Sequence, residues 1–144
     1  MGSEGFLGWA YTEGTFTRGE FHHMFVEHIL PHLGRWPHRN SIVIIDNARI
    51  HMYAQLEEAI HARGAALIYL PPYCPHLNPI EVGFSLVKRW IQKHASKLFG
   101  QQPREVLTAA FRQCASRDGL AVNLFNHCGY YEKQLDFEFI QDDS

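Results

Sequence analysis

An α/β fold, a sheet flanked by helices, follows from three features of this 144-residue chain. Ile42–Ile45 is an unbroken β-branched run, which predicts a strand covered on both faces, as in a parallel or mixed sheet. A second apolar run at 65–70 predicts another buried strand. Between them, Ile50, Tyr53, Leu56 and Ile60 recur at helical intervals. The order strand, helix, strand calls for a right-handed crossover, which sets the two strands parallel.

From the amino end, residues 6–17 mix aromatic and Thr residues around Gly14, the composition of an extended strand or hairpin arm. Thr17 can cap a helix over 18–33 whose buried stripe is Phe21, Phe25, Ile29 and Leu33, with Pro31 kinking or ending it. Residues 34–40, GRWPHRN, carry turn chemistry. After Ile45 the next helix is expected over 48–63, closed by Gly64, whose missing Cβ suits the left-handed cap. Pro71, Pro72 and Pro75 fix a loop until Asn78 caps a helix with Pro79 in its first turn. That helix is expected to reach Lys97 and to bury Ile80, Phe84, Val87 and Ile91, leaving Lys88, Arg89, Lys93 and Lys97 on a basic outer side. Shorter helices are expected at 103–114 and 122–125, then an acidic tail at 132–144 ending in Asp142 and Asp143. The whole reads as a single domain.

A net charge of −2 gives no global attraction to nucleic acid, so any such contact must come from a local basic surface. Cys74, Cys114 and Cys128 are odd in number and form no CxxC pair, which favours free thiols in a reducing compartment. No apolar run is long enough to span a membrane, and the first residues lack the pattern of a signal peptide, so the nucleus or cytoplasm is expected rather than secretion.

Two acidic residues stand where a side chain can serve a cation: Asp46 at the end of a strand and Glu81 at the opening of a helix. Hard cations such as Mg²⁺ prefer carboxylate oxygen, and the metal neutralises carboxylates that would otherwise repel. Each has a plainer alternative. Asp46 can initiate a helix through an Asp-Asn turn, and Glu81 can bond back to Asn78 in an Asn-x-x-Glu capping box. Lys88, two helical turns beyond Glu81, can meet a phosphate, whereas Arg89, Lys93 and Lys97 also read as a solvated face. His28 and His32 have helical metal-binding spacing, but Pro31 disturbs it and no Cys or acidic cluster completes a zinc site. No pattern sets a Ser or Cys nucleophile beside a base.

The stretches SIVIIDNARIH (41–51) and LPPYCPHLNPIE (70–81) together resemble the second and third catalytic carboxylates of the DDE superfamily endonuclease domain of mariner-type transposases. The resemblance covers roughly residues 6–131. It implies a ribonuclease H-like fold, metal-dependent cleavage and joining of DNA, and Mg²⁺ or Mn²⁺ held by Asp46 and Glu81. It places Asn47 and His51 in the same motif, His51 as a group that positions a phosphate, a water or Asp46, or simply locks its loop. Tyr73 and Asn78 would shape the loop that delivers Glu81. The acidic residues before Asp46 are Glu4, Glu13, Glu20 and Glu27, and none ends a hydrophobic strand. By that comparison the first two strands, the first carboxylate and the amino-terminal helix-turn-helix region are missing, and the chain alone is inactive. DNA is the implied partner, with a homo-oligomer or a chain supplying the missing strands as further partners. The alternative is a non-catalytic nucleic-acid or protein interaction module on the same scaffold.

Overall fold

Two parallel strands form the sheet of this computed structural model, which describes residues 1–2 and 4–130; the tail at 132–144 lies outside them. β1 (Ile42–Ile45) pairs with β2 (Ala66–Tyr69) in the register Ile42 with Ala66 through Ile45 with Tyr69. The helix between them, α2 (Ala54–Ala62), completes the expected strand–helix–strand unit. The fold class is α/β, and among the described residues the sheet is parallel rather than mixed.

Val43 and Ile45 alternate onto one face of the sheet, where they meet Leu56 and Ile60 of α2, Phe25 and Ala65 in a first core. Leu56 and Ile60 are completely buried, and each contributes about 1.5–3 kcal/mol by leaving water. The opposite face is not covered as the β-branched run predicts: Ile42 and Ile68 are both more than two-fifths exposed. The α2 side chains Leu56 and Ile60 pack on the Val43 and Ile45 side. Gly64 has φ +74 after α2, and a Cβ there would stand 2.7 Å from Arg35 Cγ, so the cap needs glycine twice over.

The segment expected over 18–33 begins where Thr17 predicts. Glu20 N donates to Thr17 Oγ1 at 3.2 Å and Thr17 N donates to Glu20 Oε2 at 2.8 Å, a reciprocal capping box. α1 (Arg18–Met24) then widens into a π-helical turn at Phe25–Ile29 and tightens into a 3-10 turn at Leu30–His32. Pro31 lies in that last turn, and Leu33 is already extended. Phe25 is buried while Phe21, Ile29 and Leu33 pack partly buried beside it, so the predicted stripe is used.

A second core forms where α3 (Pro79–His94) crosses α5 (Pro103–Ala115), with Val87, Ala110, Phe111 and Cys114 at its centre. α6 (Leu120–His127) packs on α3. The expected strand or hairpin at 6–17 is absent: these residues make no ladder. Their aromatic side chains leave for the second core instead, Trp9 stacking on Phe111 with ring centres 5.5 Å apart and Phe6 meeting it edge-on at 5.6 Å. Gly83 makes that approach possible, since a Cβ there would sit 3.1 Å from Phe6 Cζ.

Three helix boundaries differ from expectation. The helix over 48–63 is broken: Arg49–His51 is a 3-10 turn, and Tyr53 is extended before α2 begins. The cause is tertiary, because the His51 carbonyl accepts from the Tyr69 hydroxyl at 3.0 Å. α3 stops at His94 rather than Lys97, where Ala95 leaves helical geometry before the short α4 (Ser96–Phe99). On α3, Val87 is buried but Phe84 is 48% exposed, because it borders a cavity rather than a packed surface. The last helix is longer than 122–125 and starts after Gly119 in the left-handed conformation.

Candidate functional site

Asp46 leaves β1 at its carboxyl end, and a close-knit turn holds it. Asp46 Oδ1 accepts from His51 Nδ1 at 2.6 Å and from Ala48 N at 3.3 Å. The Asp-initiated turn is therefore present, though it opens into a single 3-10 turn rather than a helix. His51 is fixed on two other sides: its ring lies 4.2 Å, centre to centre, from Phe21, and its carbonyl carries the Tyr69 hydroxyl. Burial, with the Glu57 carboxylate adding, pushes the Tyr69 phenol up, which keeps it a donor. Arg18 reaches over from α1 to donate to the Arg49 carbonyl at 3.2 Å, and His22 bonds the Tyr53 hydroxyl at 3.1 Å. The turn carrying Asn47 and His51 is thus clamped between α1 and β2. Asn47 itself is exposed.

Glu81 occupies the first turn of α3, where the partial positive charge of the helix start favours an ionised carboxylate. The capping box that offered its plainer explanation does not form. Asn78 makes no side-chain cap, and its backbone N–H donates to the Pro75 carbonyl at 3.0 Å rather than to Glu81. Glu81 is exposed, and among the described residues its carboxylate has no hydrogen-bond or ion-pair partner. Asn78 is buried. Instead of capping, Asn78 lines two cavities.

The larger cavity, about 740 Å³, is an open cleft lined by Asp46, Asn47, Arg49, Tyr73, Asn78 and Glu81. The second, about 440 Å³, runs along β1 between the two cores; it is walled mainly by apolar groups such as Phe25, Ile44 and Phe84, and Asp46, His51 and Glu81 touch it as well. Tyr73 does not pack into the loop it was expected to shape: it is 98% exposed. Lys88, Arg89 and Lys93 lie exposed farther along α3 and line neither cavity.

Two solvent-accessible carboxylates, one with an unengaged oxygen pair and one with its Oδ2 unbonded, fit a hard divalent cation in the chemistry of their atoms. In number they fit one ion completed by water. Among the described residues no group of three or more His, Cys, Asp or Glu is placed to hold a metal. A second ion at bridging distance needs a shared ligand that these residues do not supply. Sequence reasoning did not foresee Phe21, Tyr69 or Arg18 as supports of Asp46, because each contact joins positions far apart in the chain and leaves no local pattern.

Among the described residues no helix is long and apolar enough to cross a membrane. Comparison with curated proteins gives no match, and comparison with solved structures gives none. Residues 2–101 do match the family model of the DDE superfamily endonucleases, a span that contains the Asp46 turn, the Pro-rich loop and Glu81. The chain belongs to the DDE superfamily endonuclease family.

Proposed function

We propose that this chain is a DNA-acting domain of the mariner type with a ribonuclease H-like ancestry, in which Asp46 and Glu81 hold one Mg²⁺ or Mn²⁺ and which does not cleave DNA by itself. The observation that carries this reading is that Glu81 is released from helix capping and opens on the same cleft as Asp46. A divalent ion bound there would neutralise the two carboxylates and polarise a phosphodiester. The chain's own groups do the rest. His51 orients Asp46 Oδ1 and leaves its other oxygen without a hydrogen bond among the described residues, and Arg49 brings a cation to the cleft wall. Lys88, Arg89 and Lys93 extend the positive surface along α3 for the phosphate backbone.

Binding without cleavage is favoured over an active nuclease by the two-carboxylate count, since paired-metal charge stabilisation needs a third shared ligand. A partner chain bearing such a carboxylate would complete the site. The test compares the chain with Asp46→Asn and Glu81→Gln in Mn²⁺ binding, measured by electron paramagnetic resonance, and in plasmid nicking with Mg²⁺ and Mn²⁺. Weak Mn²⁺ binding lost in both variants, with negligible nicking by all three proteins, is the expected result. Robust nicking abolished by either substitution would make this an active nuclease with a third ligand of another kind. Unchanged Mn²⁺ binding in both variants would remove the metal site.

A further inference from the structure

Tyr73 is almost completely exposed, at 98%, whereas Trp36, at 58%, is the next most exposed of the large hydrophobic residues among those described. Its backbone also sits at φ +59, a conformation uncommon for a bulky aromatic residue. An exposed ring on a strained backbone gains nothing from the fold itself. It also does not wander far, because its loop is stiff. Pro71, Pro72 and Pro75 restrict the chain, Leu77 N and Asn78 N donate back to Cys74 and Pro75, and the Tyr130 hydroxyl donates to the Leu77 carbonyl at 2.8 Å. The carbonyl of Ile45, next to Asp46, receives Leu70 N at 2.8 Å where the loop begins. The ring is therefore a flat apolar plate carried at the rim of the cleft that holds Asp46, Glu81 and the exposed Arg49.

Resting on the DNA-acting reading above, we infer that Tyr73 is a stacking platform for an unpaired nucleobase whose adjoining phosphate enters the cleft beside Arg49. The ligand must combine a π face with an anionic linker, and a nucleotide that has left its duplex has both. A base within a duplex has its faces covered by its neighbours, so the platform selects DNA with a frayed end, an overhang or a splayed nucleotide. Stacking is tolerant of base identity, so the preference is for the unpaired state rather than for sequence.

The experiment measures, with Mg²⁺ present, the affinity of the full chain for a fluorescein-labelled blunt duplex and for the same duplex with a two-nucleotide overhang. The first overhanging base is 2-aminopurine, so its fluorescence reports stacking directly. Tyr73→Asn removes the ring while keeping a residue that tolerates the left-handed backbone, and Tyr73→Phe keeps the ring without the hydroxyl. Expected results are overhang binding about tenfold tighter than blunt, quenching of 2-aminopurine by the native chain and by Tyr73→Phe, and loss of both effects in Tyr73→Asn. Overhang preference and quenching that survive in Tyr73→Asn overturn the assignment while leaving DNA binding intact. Equal loss in Tyr73→Phe and Tyr73→Asn overturns stacking in favour of a hydroxyl contact. Absence of binding to either DNA overturns the DNA-acting reading and this inference with it.

Discussion

The 2.6 Å bond from His51 to Asp46 joins two residues only five apart, yet its geometry depends on Phe21 and Tyr69, which come from other elements. Loss of the imidazole frees Asp46 Oδ1 to rotate, and groups that orient a metal ligand typically matter by 10–100-fold in affinity. His51→Ala should therefore weaken Mn²⁺ binding by about tenfold while leaving the far-ultraviolet circular dichroism unchanged, and an unaltered affinity would mean that the Ala48 N–H suffices. Thiol chemistry gives a second check on single residues. Cys114 and Cys128 are buried and burial pushes both thiols up, whereas Cys74 is partly exposed on the Pro-rich loop. With an aromatic disulfide reagent under native conditions, one thiol per chain should react quickly and the other two only on unfolding. Asp46 and Glu81 were legible as candidate ligands from residue type and motif alone. The exposures of Tyr73 and Asn78, 98% and 9%, were not, because residue type alone does not say which side chain a loop turns outward.

At the scale of elements, local chemistry predicted what local bonds build. Thr17 as a cap, Pro79 at the start of α3 and Gly64 after α2 all stand where sequence places them. It failed where a distant side chain decides, as when the Tyr69 hydroxyl takes the His51 carbonyl and splits the helix expected over 48–63. The α1 cap carries a pH prediction. Backbone and side-chain bonds from Thr17 hold the Glu20 carboxyl below its usual 4.5, so its stabilising effect is full above that value and is lost as pH falls through the depressed one. Thermal unfolding followed between pH 7 and 3 should show Glu20→Gln less stable than the native chain at neutral pH, with the gap closing as the solution becomes acidic. β1 makes a different demand. Among the described residues it pairs on one side only, and an apolar cavity lies along it, so its other edge offers backbone donors and acceptors for pairing. Sedimentation velocity should show concentration-dependent self-association that Ile42→Lys, an exposed position on that strand, suppresses. A conventional monomer at all concentrations would mean that the edge is satisfied within the chain.

At the scale of the molecule, the apolar side chains of the described residues gather in two cores rather than one, Val43 with Leu56 and Ile60 in the first and Val87 with Phe111 and Cys114 in the second. The sequence announced the strands and helices at their centres, but not that Phe6 and Trp9 would leave an expected strand for the second core, and no periodicity says which elements will share a core. Asp46 is mounted on the first core and Glu81 on the helix of the second, with the Pro-rich loop as the tether between. The loop is short and stiff, so each carboxylate sees the other at a high effective concentration even when the cores move slightly apart. An ion bound as proposed, only when both carboxylates are in place, would act as a clasp between the two cores, stabilising their docked state by about 2.7 kcal/mol at a hundred times its dissociation constant. Amide hydrogen exchange should accordingly resolve two protection classes without metal, one for β1, α2 and β2 and another for α3 and α5, which converge as Mn²⁺ is added. If Asp46 and Glu81 hold an ion as proposed, the paired cores would turn that ligand site into a cooperativity switch, through which ion occupancy sets whether the domain opens in two steps or one.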